Sequence, residues 1–208
     1  MGIVDEPKCL REETECAARR ELLHGPTMRE LTAFVQAIRS EVPEGDVPDF
    51  DPLDGGVDAE CLFLLEAPGP RAVKSGFVSR NNPDETAKNW HVLNGEVGIN
   101  RRRTITWNIV PWYIGKDSRI RPAKAADIKL GLPYLQQLIL LLPKLRLVVL
   151  VGRKAGHAEA SVRQWAPGLD IMEIPHPSPS FVNRAPGNRG LVRKRLKEVA
   201  KKLSPAKV

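Results

Sequence analysis

The sequence predicts an α/β protein of the three-layer α/β/α type, with a four-stranded parallel sheet between layers of helices. Two observations lead to this fold class. Four short apolar runs alternate with segments of helical length, and the runs end at Pro, Gly or polar residues, which is typical of buried parallel strands. Connections of this length cross one face of a sheet, so helices should cover both faces. The strands are expected at residues 60–66, 104–109, 145–151 and 170–174.

The residues before the first strand predict two helices and a loop. A charged helix is expected over Arg11–Leu23. A second helix should begin at Thr27, because Thr27 and Glu30 have the spacing of a capping box and apolar residues then recur on one helical face. The stretch Pro43–Asp58 is rich in Pro, Gly and Asp and should form a loop. We therefore assign residues 1–58 to an N-terminal helical extension packed on the core and residues 59–208 to the α/β domain.

The connections between the strands predict one long loop and four helices. Residues 67–82 should form the loop. Asn82 is expected to cap the next helix, which runs to Leu93, because Pro83 and two acidic residues follow it. Pro133 should kink or break the helix that contains it. The remaining helices are expected at residues 124–142, 154–165 and 187–203.

The composition is that of a globular protein, with 42% hydrophobic and 27% charged residues among 208. No run approaches the roughly 18 apolar residues of a membrane span, and no signal peptide is apparent at the N-terminus. The three cysteines are an odd and sparse set, which suits a reducing compartment better than a disulfide scaffold. We therefore expect a cytoplasmic protein without a membrane partner.

The charges are distributed unevenly along the chain. Residues 1–66 carry 16 acidic and 6 basic side chains, a net charge of −10, whereas residues 67–208 carry 9 acidic and 26 basic side chains, a net charge of +17. A solvated surface could account for part of this excess. A strongly basic body is also typical of a protein with a polyanionic partner such as nucleic acid.

Polar residues stand at or just after the ends of three of the four predicted strands. Glu66, Asn108 and His176 each stand at the end of an apolar run. In an open parallel sheet, ligands bind just beyond the carboxyl ends of the strands. We therefore expect these three side chains to converge on one crevice.

The motifs around these residues resemble those of the uracil-DNA glycosylase superfamily, and of its iron–sulfur branch in particular. The first motif stands here as Leu65-Glu66-Ala67-Pro68-Gly69, and the second as His176-Pro177-Ser178-Pro179. A Gly-Phe pair and a strand-end Asn match Gly76-Phe77 and Asn108. The stretches 82–87 and 107–112 further resemble a bacterial subgroup of the superfamily. The resemblance covers roughly residues 60–200.

The resemblance implies roles for the matching residues. Glu66 and His176 would be catalytic, with Asp84 as the rival carboxylate, although a helix terminus alone favours an acid there. Ala67, Gly69, Phe77 and Asn108 would bind the substrate. Hydroxyl and Arg side chains are common phosphate ligands, and an apolar loop tip can enter an emptied base stack. The expected DNA-binding residues are Lys74, Ser75, Ser178, Ser180, Phe181, Asn183, Arg184 and Arg189.

Two departures from the family pattern limit the resemblance. Related branches often place Asp or Asn at the position of Ala67 to hold the attacking water, which Ala cannot do. The iron–sulfur branch has four cysteine ligands, and this chain has three cysteines in all. One chain therefore cannot supply a four-thiolate cluster, and we expect no metal and no cofactor.

The function that follows is hydrolysis of the N-glycosidic bond of uracil flipped out of DNA, which leaves an abasic site. Two alternatives stay open: a protein that binds uracil or abasic DNA with little turnover, and a glycosylase for another deaminated base such as hypoxanthine. The expected partners are single- or double-stranded DNA that contains uracil, and the abasic product. The protein itself is expected to be a monomer.

Overall fold

The computed structural model describes residues 2–117 and 119–204. Its centre is a four-stranded sheet in the order β4-β2-β7-β8, and every neighbouring pair of strands is parallel. This confirms the predicted fold class and all four predicted strands, to within two residues at each end. The strands are β2 (Cys61–Leu65), β4 (Thr104–Asn108), β7 (Leu147–Val151) and β8 (Asp170–Ile174).

The strand register brings the carboxyl ends of the strands to one edge of the sheet. Leu65 lies beside Asn108 where β2 and β4 end, and Val151 lies beside Ile174 where β7 and β8 end. Glu66 directly follows β2. The sheet edge therefore collects the polar residues that follow the strands, as expected for a parallel sheet.

One face of the sheet packs against the two N-terminal helices together with three helices from the second half of the chain. Leu31, Phe34, Val35 and Ile38 project from one face of a single amphipathic helix into this core, and the helices of this layer contact one another. The predicted N-terminal extension thus shares a continuous apolar core with the sheet. The helices of this layer are α1 (Glu13–Leu22), α2 (Arg29–Glu41), α5 (Ala125–Leu140), α6 (Arg153–Gly156) and α7 (Glu159–Trp165).

The opposite face of the sheet is covered by two helices. Trp90 on the first packs edge-on against Phe63 of β2, with ring centroids 4.8 Å apart. Val192, Leu196 and Val199 on the second are fully buried in the same core. This layer consists of α4 (Glu85–Glu96) and α9 (Asn188–Leu203), with the short α8 (Pro179–Val182) before α9.

Two small strand pairs and four short helices complete the described part of the fold. Two-residue strands β1 (Asp49–Phe50) and β3 (Phe77–Val78) pair in parallel. An antiparallel hairpin joins β5 (Gly115–Lys116) and β6 (Arg119–Ile120). The remaining elements are α3 (Pro70–Ser75) and 3₁₀ helices over Cys9–Arg11, Gly56–Asp58 and Arg101–Arg103.

Several local predictions were wrong. The N-cap of α2 is Met28, not Thr27, and no side chain caps it; the carbonyl of Thr27 instead accepts a hydrogen bond from Val57 N at 2.9 Å. The predicted loop Pro43–Asp58 contains β1 and a 3₁₀ helix. Pro133 lies inside α5, which runs unbroken. Pro133 is exposed, so water can satisfy the carbonyl that its missing N–H leaves unpaired.

The segment predicted as a long loop, residues 67–82, is also structured. Pro70 opens α3 at its first turn and Gly76, with φ of 85°, ends it in the left-handed region. β3 follows at once. Asp84, not Asn82, caps α4: its carboxylate accepts a hydrogen bond from Ala87 N at 2.9 Å. Asn82 is buried, and the oxygen of its side-chain amide accepts a hydrogen bond from Ser75 Oγ at 2.6 Å.

A buried network of charges joins the N-terminal helices to the sheet. Arg19 on α1 is fully buried and pairs with Asp51, which also receives a hydrogen bond from Ser79. Arg101 reaches Asp51 and Asp54 at 2.9 Å each. Burial alone would raise the pKa of Asp51, but Arg101 and Arg19 hold it below its ordinary value. We call Arg19, Asp51, Asp54, Arg80 and Arg101 the buried charge network.

None of the helices described is long and apolar enough to cross a membrane.

We expect loss of one charge from the network to be costly. Arg19→Leu leaves the Asp51 carboxylate with fewer cations in an apolar setting, which should lower the free energy of unfolding by about 3–5 kcal/mol. Arg20→Leu is the matched control on the same helix, because its partner Glu13 is 76% exposed; it should cost about 1 kcal/mol or less. Urea denaturation measures both, and equal losses would contradict a special role for Arg19.

Candidate active site

A cavity of about 380 Å³ opens at the carboxyl ends of β2 and β4. Its size is in the range of small-ligand pockets. The turn from β2 into α3 forms one wall, and the start of α4 with the segment before it forms another. We call this cavity the main pocket. It is lined by residues 65–72, 78–80, 82, 84, 86, 87 and 90, by Thr106, Asn108 and Ile120, and by His176 and Pro177.

Glu66 begins the turn after β2 and lies at the mouth of the main pocket. Its carboxylate accepts a hydrogen bond from Ala123 N at 2.6 Å, and its carbonyl accepts one from Val110 N at 3.0 Å. The first contact holds the side chain against the segment before α5, and the second holds the backbone beside the end of β4. Ala67 and Gly69, the next predicted site residues, line the same wall of the pocket.

Asn108 ends β4 and lines the main pocket with a buried amide. The residue is 3% exposed, and its Nδ2 has no hydrogen-bond partner among the described residues. An unpaired buried amide is costly unless a ligand satisfies it. Asn108 is therefore well placed to hydrogen-bond a ligand that enters the pocket.

His176 follows β8 and lies close to Glu66. It borders the main pocket and two further cavities, all of which Glu66 also borders. Burial lowers the pKa of His176 below its ordinary value, and the nearby Glu66 charge opposes this shift only in part. The imidazole is therefore neutral at pH 7 and can donate one hydrogen bond.

Gly152 gives the histidine the space it needs. This glycine turns β7 into α6 with φ of 82°, and a Cβ added to it would lie 3.0 Å from the Cβ of His176. A side chain at position 152 would therefore press on the imidazole as well as strain the backbone.

Asp84 lines the main pocket from the start of α4, where its carboxylate caps the helix. Burial raises its pKa, and the hydrogen bond from Ala87 N opposes the rise. Asp84 thus stabilises the start of α4, which agrees with the preference of a helix N-terminus for an acidic residue. The residue also faces the cavity, so the two carboxylates predicted from sequence both border the same space.

The structure does not bring Phe77 and Ser75 into the site. Phe77 is the first residue of β3, is fully buried in the core and does not line the main pocket. Ser75 is buried too, and its hydroxyl donates a hydrogen bond to the side-chain oxygen of Asn82. The expectation for Phe77 rested on the resemblance of Gly76-Phe77 to the family's Gly-Phe pair, and both expectations placed the residue in a long loop. The aromatic side chain that does line the pocket is Trp90.

The predicted DNA-binding residues separate into two groups. One group borders a groove beside the main pocket, which we call the side groove. His176 borders both the main pocket and the side groove. This group consists of Ser178, Ser180, Phe181 and Arg184, and the two serine hydroxyls lie 3.0 Å apart. The other basic residues of the side groove are Arg153 and Arg195.

The remaining predicted DNA-binding residues lie outside the side groove. Lys74 and Asn183 are exposed. Arg189 forms an ion pair with Glu96 on α4, so part of its charge is already compensated. Phe181, which belongs to the group that borders the side groove, is half-buried, and its side chain packs against the core under α9.

Many residues that line the pocket escaped the prediction, and Thr106, Trp90 and Arg80 are polar examples among them. Thr106 precedes Asn108 by two positions on β4, so strand alternation places both on one face, and this could have been noticed. Trp90 and Arg80 come from segments where nothing local in the sequence indicates a pocket. Arg80 is buried and donates a hydrogen bond to Thr104 Oγ1 at 3.1 Å.

Comparison with known families bears on this geometry. The family model described as the uracil DNA glycosylase superfamily matches residues 54–201, which is most of the chain.

The chain belongs to the uracil-DNA glycosylase superfamily.

Two solved structures are similar to this chain. The crystal structure of SMUG2 from Pedobacter heparinus matches with a TM-score of 0.56 and 10% identity, over 84% of each chain. A candidate uracil DNA glycosylase from Methanosarcina acetivorans, solved by NMR, matches with a TM-score of 0.47 and 18% identity, over 71% of this chain and 94% of that one. No curated protein matches this sequence. The protein is thus a DNA glycosylase by family, with DNA as its partner.

The described part of this superfamily member holds no group of three or more His, Cys, Asp or Glu side chains placed to bind a metal ion. Its three cysteines are unpaired. Cys61 is fully buried inside β2, and burial strongly raises the pKa of its thiol, which disfavours the thiolate that a cluster ligand needs.

The lowered pKa of His176 predicts a pH-dependent stability. The unfolded protein takes up a proton at His176 near pH 6.5, but the folded protein does so only at lower pH. The folded state therefore loses stability as pH falls from about 6.5 through the folded pKa. His176→Gln should lose less stability than wild type between pH 7.5 and pH 5, measured by urea denaturation. Parallel pH profiles for the two proteins would contradict this.

Proposed function

We propose that this glycosylase hydrolyses the N-glycosidic bond of uracil in DNA and leaves an abasic site. The observation that carries the proposal is the buried, unpaired amide of Asn108 in the main pocket. An amide side chain offers a donor and an acceptor together, which matches the carbonyl and imide N–H of uracil. Since the amide lies inside a pocket, the base must leave the helical stack to reach it.

His176 would stabilise the leaving base. Cleavage of the glycosidic bond puts negative charge on the departing uracil, and a fixed hydrogen-bond donor at a carbonyl oxygen stabilises that charge. A neutral imidazole can take this role because one of its ring nitrogens carries an N–H that donates a hydrogen bond. Burial maintains the neutral form at pH 7.

Glu66 would face the sugar. The sugar gains positive charge as the bond breaks, and an anionic carboxylate stabilises it and can orient the attacking water. Glu66 is favoured over Asp84 because it borders every cavity that His176 borders, whereas Asp84 borders only the main pocket among them. Ala67 contributes no polar group here, so the neighbouring carboxylate has to take this role.

The side groove would hold the DNA backbone next to the extruded nucleotide. Its serines and arginines are typical phosphate ligands, and it opens beside His176. The net charge of +17 on residues 67–208 would attract the polyanion.

A second candidate function follows from Ala67. This residue lines the main pocket without a polar group, so a protein that holds uracil or abasic DNA but turns over slowly would have the same site. Single-turnover assays with excess enzyme separate the two functions, because a binding protein forms a complex and releases no base.

Release of uracil should depend on the Asn108 amide and should not require added metal. With chelator present and no added metal, the protein should convert DNA containing uracil to abasic DNA. Asn108→Ala should lower the single-turnover rate by roughly 10- to 100-fold, because the pocket loses both hydrogen bonds to the base. Asn94→Ala is the control: this buried amide lies on α4 outside the pocket. Loss of activity in both variants to the same extent would argue against base recognition by Asn108.

A further prediction concerns the two carboxylates. Glu66→Gln and Asp84→Asn keep the hydrogen-bond acceptors for Ala123 N and Ala87 N but remove the negative charge. Asn is also a good N-cap, so α4 should persist in the second variant. We expect the larger loss of single-turnover rate in Glu66→Gln. An inactive Asp84→Asn beside a nearly normal Glu66→Gln would reverse the assignment.

A further inference from the structure

Unpaired hydrogen-bonding groups are concentrated in the main pocket. Eight buried side-chain atoms in the described part of the chain have no hydrogen-bond partner. Four of them belong to residues that line this one cavity, and the other four lie elsewhere. Buried polar groups are normally paired, so this concentration points to groups that a ligand satisfies. The four are Arg80 Nε, Trp90 Nε1, Thr106 Oγ1 and Asn108 Nδ2.

Thr106 and Trp90 lie deeper in the pocket than Asn108. Thr106 is two residues before Asn108 on the same face of β4, which places it about 6–7 Å further from the carboxyl edge. It lies beside Phe63 of β2, and the Trp90 ring packs against that same Phe63 at 4.8 Å. The side chains of Thr106 and Trp90, each with an unpaired polar atom, therefore come from two elements to the part of the pocket next to Phe63.

Arg80 does not share this role. Its guanidinium already donates to Thr104 Oγ1 and lies 3.8 Å from the Asp54 carboxylate. It belongs to the buried charge network behind the pocket wall.

The orientation of an extruded uracil determines which atom reaches this inner region. N1 stays bonded to the sugar, and the sugar stays with the DNA at the pocket mouth. The ring atom opposite N1 is C4, so the C4 carbonyl oxygen points deepest. Uracil presents an acceptor there, whereas cytosine presents an amino group. Trp Nε1 is a donor only, so it can pair with the carbonyl and cannot pair with the amine.

On the basis of the proposed function, we propose that Trp90 and Thr106 form an inner subsite that hydrogen-bonds the C4 oxygen of the extruded uracil. Asn108 binds the adjacent imide edge, and the inner subsite makes a separate contact at the position where uracil and cytosine differ. A cytosine in the pocket would leave the indole N–H unpaired in a site that excludes water, which disfavours it. The two residues thereby contribute to base specificity as well as to binding.

Substitution of the C4 oxygen by sulfur tests the contact. A thiocarbonyl is a weaker acceptor, so wild type should act on 4-thiouracil in single-stranded DNA up to about tenfold more slowly than on uracil. Trp90→Phe keeps an aromatic ring and removes the N–H; Thr106→Val keeps the shape and removes the hydroxyl. Each should slow uracil release and bring the ratio of the uracil to the 4-thiouracil rate closer to one.

Trp107→Phe is the matched control. The indole N–H of Trp107 is also buried and unpaired, but this ring lies on the other face of β4, stacked on Phe50 with centroids 3.8 Å apart. Trp107→Phe should therefore leave the rate ratio at its wild-type value. A Trp90→Phe or Thr106→Val variant that slows both substrates equally, with the ratio unchanged, would overturn the inner subsite.

A binding measurement separates this inference from the proposed function. Fluorescence anisotropy gives the affinities for uracil and 4-thiouracil oligonucleotides whether or not the base is released. If wild type releases no uracil, the hydrolytic function fails, and the affinity ratio still tests the subsite. Preferential loss of uracil affinity in Trp90→Phe and Thr106→Val supports it, and equal loss for both oligonucleotides overturns it.

Discussion

The fold depends on the pairing of buried arginines with buried aspartates. Arg19 and Asp51 are both fully buried, and Arg101 completes the arrangement from the start of β4. An ionised group without a partner is very costly in such a setting. The segments around Arg19, Asp51 and Arg101 must therefore pack against one another at the same time, because none of them can be buried without the others. This explains why the N-terminal helices share the core of the sheet.

The same pairing determines the shape of the main pocket. Ser79 bonds Asp51, and Arg80 faces Asp54, so the segment that follows β3 is held from behind by the buried charge network. Ser79, Arg80 and Asn82 form part of the pocket wall. The pocket thus has one rigid side formed by the strand ends of β2 and β4, and another whose position depends on charges located in the N-terminal part of the chain. Residues far from the chemistry help to fix the space available to the base.

The sequence predicted the sheet and the strand-end residues well, because both follow from local patterns. Four apolar runs and the polar residues after them led to Glu66, Asn108 and His176, which the structure places around adjoining cavities. Phe77, expected in the site from a family resemblance, and Ser75, expected in a loop, are buried because residues 67–82 contain a short helix and a strand that pairs with the distant β1. Trp90 and the buried charge network could not be predicted, because each depends on contacts between segments far apart in the chain.

The distribution of the buried charge network along the chain has a consequence for the order in which the protein can fold during synthesis. Arg19 and Asp51 leave the ribosome well before Arg101, which lies directly before β4. Domains generally fold as units as they are synthesised. Until residue 101 has emerged, Asp51 lacks one of its two arginines, and the core face of α2 lacks β4, whose Trp107 lies against Phe34. The N-terminal helices should therefore remain loosely associated in the nascent chain and dock only when the centre of the sheet has been made.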